Sequence, residues 1–121
     1  MARPIHFEIM AEDPSRAVEF YRQVFGWQVK KWDGPQEYWL VTTGAEETPG
    51  INGAIVRSSG HAQTVNTIEV DSVDEAAAIV TRHGGKVVLP KTTIPGVGYQ
   101  VYCQDTEGIV FGLHQADPTA R

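Results

Sequence analysis

The order strand, helix, three strands occurs twice in this chain, and no other feature restricts its fold as much. In "MARPIHFEIM", Ile5, Phe7 and Ile9 alternate with His6, Glu8 and Met10, which predicts a strand with one buried face. "EDPSRAVEFYRQVFGW" follows. Asp13 suits an N-cap, Pro14 the first helical position and Gly26 the stop, while Ala17, Val18, Tyr21, Val24 and Phe25 recur at helical spacing. The runs "WQVKKW", "EYWLVTT" and "INGAIVR" then read as strands separated by Gly, Pro, Asp and Glu. The same order returns from Val65. "VNTIEV" alternates, "DSVDEAAAIVTRHGG" carries a capping box at Ser72 and Glu75 and a glycine stop at Gly84, and "KVVLP", "GYQVYCQ" and "GIVFGLH" complete the set. His6 falls opposite Val65, and Gly26 opposite Gly84. Two copies of a unit of about 60 residues are a duplicated module, too few for a solenoid.

A duplicated strand–helix–strand unit predicts an α+β fold in one domain, with modules at about 1–60 and 61–121. Each helix would cover one face of its sheet and leave the other free. By alternation the helix-free face carries His6, Glu8 and Met10; Asn52, Ala54 and Val56; Val65, Thr67 and Glu69; and Val110, Gly112 and His114. That mixture of apolar and polar groups suits a ligand pocket. Gly112 stands in the middle of the last strand, where a glycine packs nothing, so it is expected to leave room for something else.

Charge and composition remove whole classes of function. The net charge of −5 argues against nucleic acid, which needs a basic face. No apolar run is long enough to cross a bilayer, and the start of the chain carries no signal-peptide core. Cys103 is the one cysteine, so neither an intrachain disulfide nor a thiolate cluster can form, and a cytoplasmic location is expected. Beside Cys103 stand Gln104, Asp105 and Glu107, an unfavourable setting for a catalytic thiolate. Gly96 and Gly98 in "IPGVGY" precede a strand rather than a helix, so they read as a turn. His83 sits at the end of its helix, His61 and "AEETPG" in solvated loops, and the tail "ADPTAR" is expected to fray. Some of the strand aromatics must be core or interface residues, and Trp39 and Tyr102 are the ones expected to contact a ligand.

The two modules, with "DPSRAVEFYRQVFGW", "SVDEAAAIVTRHGGKV" and the closing "DTEGIVFGLH", resemble the vicinal oxygen chelate superfamily, the group of glyoxalase I, bleomycin-resistance proteins and extradiol dioxygenases. The resemblance covers almost the whole chain. It implies paired βαβββ modules forming a cupped, open mixed β-sheet barrel, and a homodimer. Metalloenzymes of the family hold a divalent ion at four inward strand positions. By the resemblance, His6 matches the first of these, Ala54 and Gly112 stand where carboxylates would, and Val65 where a second histidine would. Alanine, valine and glycine side chains have no lone pairs, and one histidine does not hold a catalytic metal that needs about three protein ligands.

The expectation is therefore a protein that sequesters a small molecule in the cup between its modules, with no cofactor. Its expected ligand-binding residues are His6, Glu8, Trp39, Asn52, Thr67, Glu69, Tyr102, Gly112 and His114. The alternative is a metal-dependent lyase, isomerase or dioxygenase with a rearranged site of His6, Glu69 and His114. No catalytic residue is assigned.

Overall fold

The computed structural model describes every residue except Met1, Gln36 and Ser59. The first module runs β1 (Arg3–Ala11), α1 (Pro14–Phe25), β2 (Gln28–Lys31), β3 (Tyr38–Thr42) and β4 (Gly53–Arg57). The second runs β5 (Gln63–Glu69), α2 (Val73–Arg82), β6 (Lys86–Ile94), β7 (Gly98–Gln104) and β8 (Val110–Ala116). The strand order is β2-β3-β4-β1 in the first and β5-β8-β7-β6 in the second. In each module the first and last strands are parallel neighbours and the other pairs are antiparallel. A helix connects each first strand to the rest, which lets a parallel pair form inside an otherwise antiparallel sheet. The chain thus has the α+β fold of two βαβββ modules. It divides into two compact units, Ile5–Val65 and Asn66–Arg121, the second including the start of the chain up to Pro4.

The helices begin where their caps place them. Asp13 Oδ1 accepts from the Arg16 N–H at 3.2 Å, and Pro14 occupies the first turn, where its missing N–H costs nothing. Gly26 closes α1 at φ 71°, a left-handed conformation that favours glycine, and its N–H donates to the Arg22 carbonyl at 2.9 Å. Ser72 Oγ caps α2 by accepting from the Glu75 N–H at 3.1 Å. His83 caps its end, donating its backbone N–H to the Ile79 carbonyl at 3.1 Å.

Each module has its own core between helix and sheet. In the first, Val18 of α1 meets Val41 and Ile55, with Phe7, Ile9, Ala11, Tyr21, Trp27, Val29 and Trp39 around them. In the second, Val73 of α2 meets Val101, Cys103 and Leu113, with Ile68, Val70, Ala76, Ala77, Val80, Tyr99 and Phe111 around them. Burial holds the Cys103 thiol above its ordinary pKa, as fits a packing residue rather than a nucleophile.

Three local expectations change. Val24 and Phe25 fit the helical spacing but are 52% and 61% exposed. Phe25 stacks on Trp27 instead, with ring centroids 5.4 Å apart. The strand predicted at "KVVLP" continues past Pro90 to Ile94. Proline is tolerated there because β6 is an edge strand, and the register shifts on either side of Leu89 absorb it. The tail does not fray. The Asp117 N–H donates to the Val97 carbonyl and the Ala120 carbonyl accepts from the Gly96 N–H, both at 2.9 Å, leaving Ala120 buried. Among the described residues no helix is long and apolar enough to cross a membrane.

Candidate functional site

Strand pairing sorts the side chains of the second module without ambiguity. Thr67 stands opposite Gly112 and Glu69 opposite His114 across β5 and β8. Tyr102 stands opposite Gly112 and Gln100 opposite His114 across β7 and β8. Directly opposed residues share a face, so Thr67, Glu69, Gln100, Tyr102, Gly112 and His114 all stand on the face away from α2. Ile68, Val101 and Leu113, one residue out of phase, belong to the helix-side core.

The centre of this face is polar and nearly sealed. Thr67 is 2% exposed and Gln100 5%. The Thr67 hydroxyl is buried and has no hydrogen-bond partner among the described residues. An orphaned buried hydroxyl costs about 1–3 kcal/mol. Gln100 fills the place that Gly112 leaves. A Cβ on Gly112 would lie 2.8 Å from Gln100 Nε2 and 3.3 Å from Thr67 Oγ1. The room expected at Gly112 is real, but a side chain of the same module uses it.

The other end of the Gln100 amide sets the state of His114. Its Oε1 lies 3.2 Å from His114 Nδ1. A carbonyl oxygen only accepts, so Nδ1 carries the proton in this arrangement and Nε2 presents a lone pair. Burial pushes the His114 pKa below its ordinary value, against a weaker upward pull from Glu69. A neutral imidazole with a fixed tautomer can accept a hydrogen bond or a proton at Nε2.

In the first module Glu8 stands opposite Ala54, and Ala54 opposite Leu40, on the face away from α1. Glu8 is buried, and His6, half-buried, lies on the same side by alternation. Two expected site residues are placed elsewhere. Trp39 stands opposite Ile55 and packs into the helix-side core, with Lys31 Nζ 5.4 Å from the centre of its ring. Parity against β4 decides this, and it is invisible until the register is known. Asn52 precedes β4 and is exposed; its Oδ1 accepts from the Thr43 N–H at 2.9 Å and pins the β3–β4 loop. A hollow of about 610 Å³ in the unit Ile5–Val65, bounded by Ile9, Met10, Ala11, Phe20, Tyr21 and Thr64, is lined by none of the expected ligand-binding residues.

Gln100 is the residue that sequence reasoning missed. Its signal was available: it is two residues from Tyr102 in "GYQVYCQ" and shares its face. A divalent metal of the kind the resemblance associates with this fold does not fit the residues present. Of the four positions, His6 alone has a donor, and Ala54 and Val65 are fully buried apolar residues. Among the described residues no group of three or more His, Cys, Asp or Glu side chains has the arrangement to hold a metal ion.

Comparison with known proteins agrees with this architecture. A family model described as the Glyoxalase/Bleomycin resistance protein/Dioxygenase superfamily matches residues 3–113. No curated protein sequence matches the chain. A methylmalonyl-CoA epimerase solved with methylmalonyl-CoA and NH4+ superposes with a TM-score of 0.69 at 15% identity, covering 99% of this chain and 98% of that one. The methylmalonyl-CoA epimerase of Mycobacterium tuberculosis gives 0.67 at 14% identity, with 95% and 88% covered. A hypothetical protein of Bacillus halodurans C-125 gives 0.68 at 14% identity, with 99% and 98% covered. At these identities the likeness concerns the fold.

Proposed function

Because the chain belongs to the glyoxalase/bleomycin resistance protein/dioxygenase superfamily, we propose that it binds a small molecule on the helix-free faces of its sheets, without a tightly held divalent metal. The observation that carries this reading is the polar array of Thr67, Gln100 and His114, built on paired strands and containing a hydroxyl with no partner among the described residues. A protein that only needed a core would fill such a face with apolar groups, since an orphaned hydroxyl destabilises the fold. Similar folds crystallised with CoA esters support the reading that this architecture can accommodate small molecules.

The alternative, a metal-dependent lyase, isomerase or dioxygenase using His6, Glu69 and His114, has less support. Among the described residues no group of three or more His, Cys, Asp or Glu side chains is arranged to hold a metal ion. The proposal includes a cytoplasmic setting, which suits a buried free thiol at Cys103. It also includes a homodimer, for which Phe20, Val24 and Phe25 of α1 offer an exposed apolar face. Light scattering during gel filtration reads the second point directly.

Elemental analysis of the untagged protein, with a thermal-shift screen of metabolites, tests the main reading. The expected result is substoichiometric Ni, Zn, Fe and Mn and at least one metabolite that raises the melting temperature. One equivalent of any of these metals, surviving dialysis, removes the metal-free reading. A screen in which no compound stabilises the protein removes the binding reading.

A further inference from the structure

The chain has two asparagines, Asn52 and Asn66, and only Asn52 is followed by glycine. Asparagine is a thermolabile side chain, and a glycine after it leaves the next backbone nitrogen unshielded. That nitrogen attacks the asparagine Cγ. A C–N bond forms and closes a cyclic imide, the bond from Cγ to the side-chain nitrogen breaks, and ammonia leaves with the proton given up by the backbone nitrogen. Water then opens the imide to aspartate or to isoaspartate. The two steps need only water, and no electrons change hands.

The fold explains why this labile pair stands where it does. Gly53 opens β4 and is paired on both sides, with Phe7 of β1 and Val41 of β3. A Cβ there would lie 2.5 Å from the Phe7 carbonyl oxygen and 2.6 Å from its ring, so packing requires glycine. A bulkier neighbour that would slow the reaction is therefore ruled out. Asn52 is exposed, and its Oδ1 accepts from the Thr43 N–H at 2.9 Å. The Thr43 hydroxyl closes the same loop by donating to the Ile51 carbonyl at 2.7 Å.

These contacts set the rate. For attack, the Asn52 side chain has to leave Thr43 and fold back onto the Gly53 nitrogen. The Gly53 backbone has to turn out of a strand held between two neighbours. We propose that Asn52 is a deamidation site gated by the β3–β4 loop: the folded chain holds Cγ away from the Gly53 nitrogen, and each conversion requires the loop to open. Aspartate keeps an oxygen that accepts from Thr43, so this product fits the folded loop. Isoaspartate routes the main chain through the former side chain, lengthens it by one atom and cannot keep both Thr43 and the β4 register. Either product adds a negative charge to a loop that already carries Glu46 and Glu47.

Conversion of the full-length protein in warm, mildly alkaline buffer, followed by mass spectrometry of digested samples, tests the gate against a synthetic peptide of residues 48–57. The protein is expected to convert at least about tenfold more slowly than the peptide, because the loop is open for a small fraction of the time. Thr43→Val removes the hydroxyl bond to Ile51 without touching residues 52 and 53. It is expected to speed conversion about fivefold, the weight of one hydrogen bond. Urea below the unfolding transition is expected to speed conversion of the wild type as well, which keeps the test decisive if the variant does not fold. Asn52→Asp is expected to keep the wild-type melting temperature. Equal rates in protein and peptide overturn the gate, as does a wild-type rate that urea leaves unchanged. Isoaspartate as the main product in protein that stays folded overturns the assignment of aspartate as the product the loop accepts.

Discussion

Replacing Thr67 by valine should make this protein more stable, and the size of the gain follows from the site. The hydroxyl is buried without a partner among the described residues, so folding strips it of water and returns no hydrogen bond. That penalty is about 1–3 kcal/mol. Valine puts a methyl group in nearly the same volume and leaves no polar atom unsatisfied. A gain near 1.5 kcal/mol is the central expectation. For 121 residues the unfolding entropy is about 0.25 kcal/mol per kelvin, so the melting temperature should rise by about 6 °C. Two companions separate the hydroxyl from the methyl. Thr67→Ser keeps the orphan and removes buried carbon, and should lose about 1 kcal/mol. Thr67→Ala removes both groups, and the two effects should largely cancel. Urea unfolding followed by tryptophan fluorescence, with calorimetry alongside, measures all three. If valine destabilises by more than 1 kcal/mol, the hydroxyl has a partner in solution and the argument that it is reserved for a ligand collapses.

Four further outcomes follow. Gly112→Ala would bring a Cβ to 2.8 Å from Gln100 Nε2, so the amide should swing away from His114 at a cost of about 1–3 kcal/mol; unchanged His114 ring signals would contradict this. Because burial lowers the His114 pKa in the folded state, the unfolded chain takes up the proton first as pH falls below about 6.5; stability should therefore decrease through that window, and His114→Gln should flatten the slope. Asp105 accepts from the N–H groups of Glu107 at 2.8 Å and Ile109 at 2.9 Å, so Asp105→Ala should cost about 1–2 kcal/mol by loosening the β7–β8 turn, whereas Asp105→Asn should retain most of it. Ile55→Ala in the core of the first module should cost about 2–5 kcal/mol in urea unfolding, and a loss under 1 kcal/mol would show that the core relaxes into the gap.

Much of this was legible in the chain itself. Duplication, capping and alternation are local: Asp13, Pro14 and Gly26 act on backbone groups a few residues away, as do Ser72 and Glu75. They therefore predict both helices and the order of all eight strands, and the superfamily resemblance follows from them. What alternation could not supply was the register between strands. One residue of phase sends Trp39 into the helix-side core rather than to a ligand, and places Gln100 beside His114 and Thr67. Those partners are 14 and 33 positions from Gln100 in the sequence, and only the hydrogen-bonded ladders of β5, β8 and β7 bring them together. The chain determined which residues could face away from its helices; pairing between distant strands decided which of them meet, because side chains make contact through strand register and not through sequence spacing.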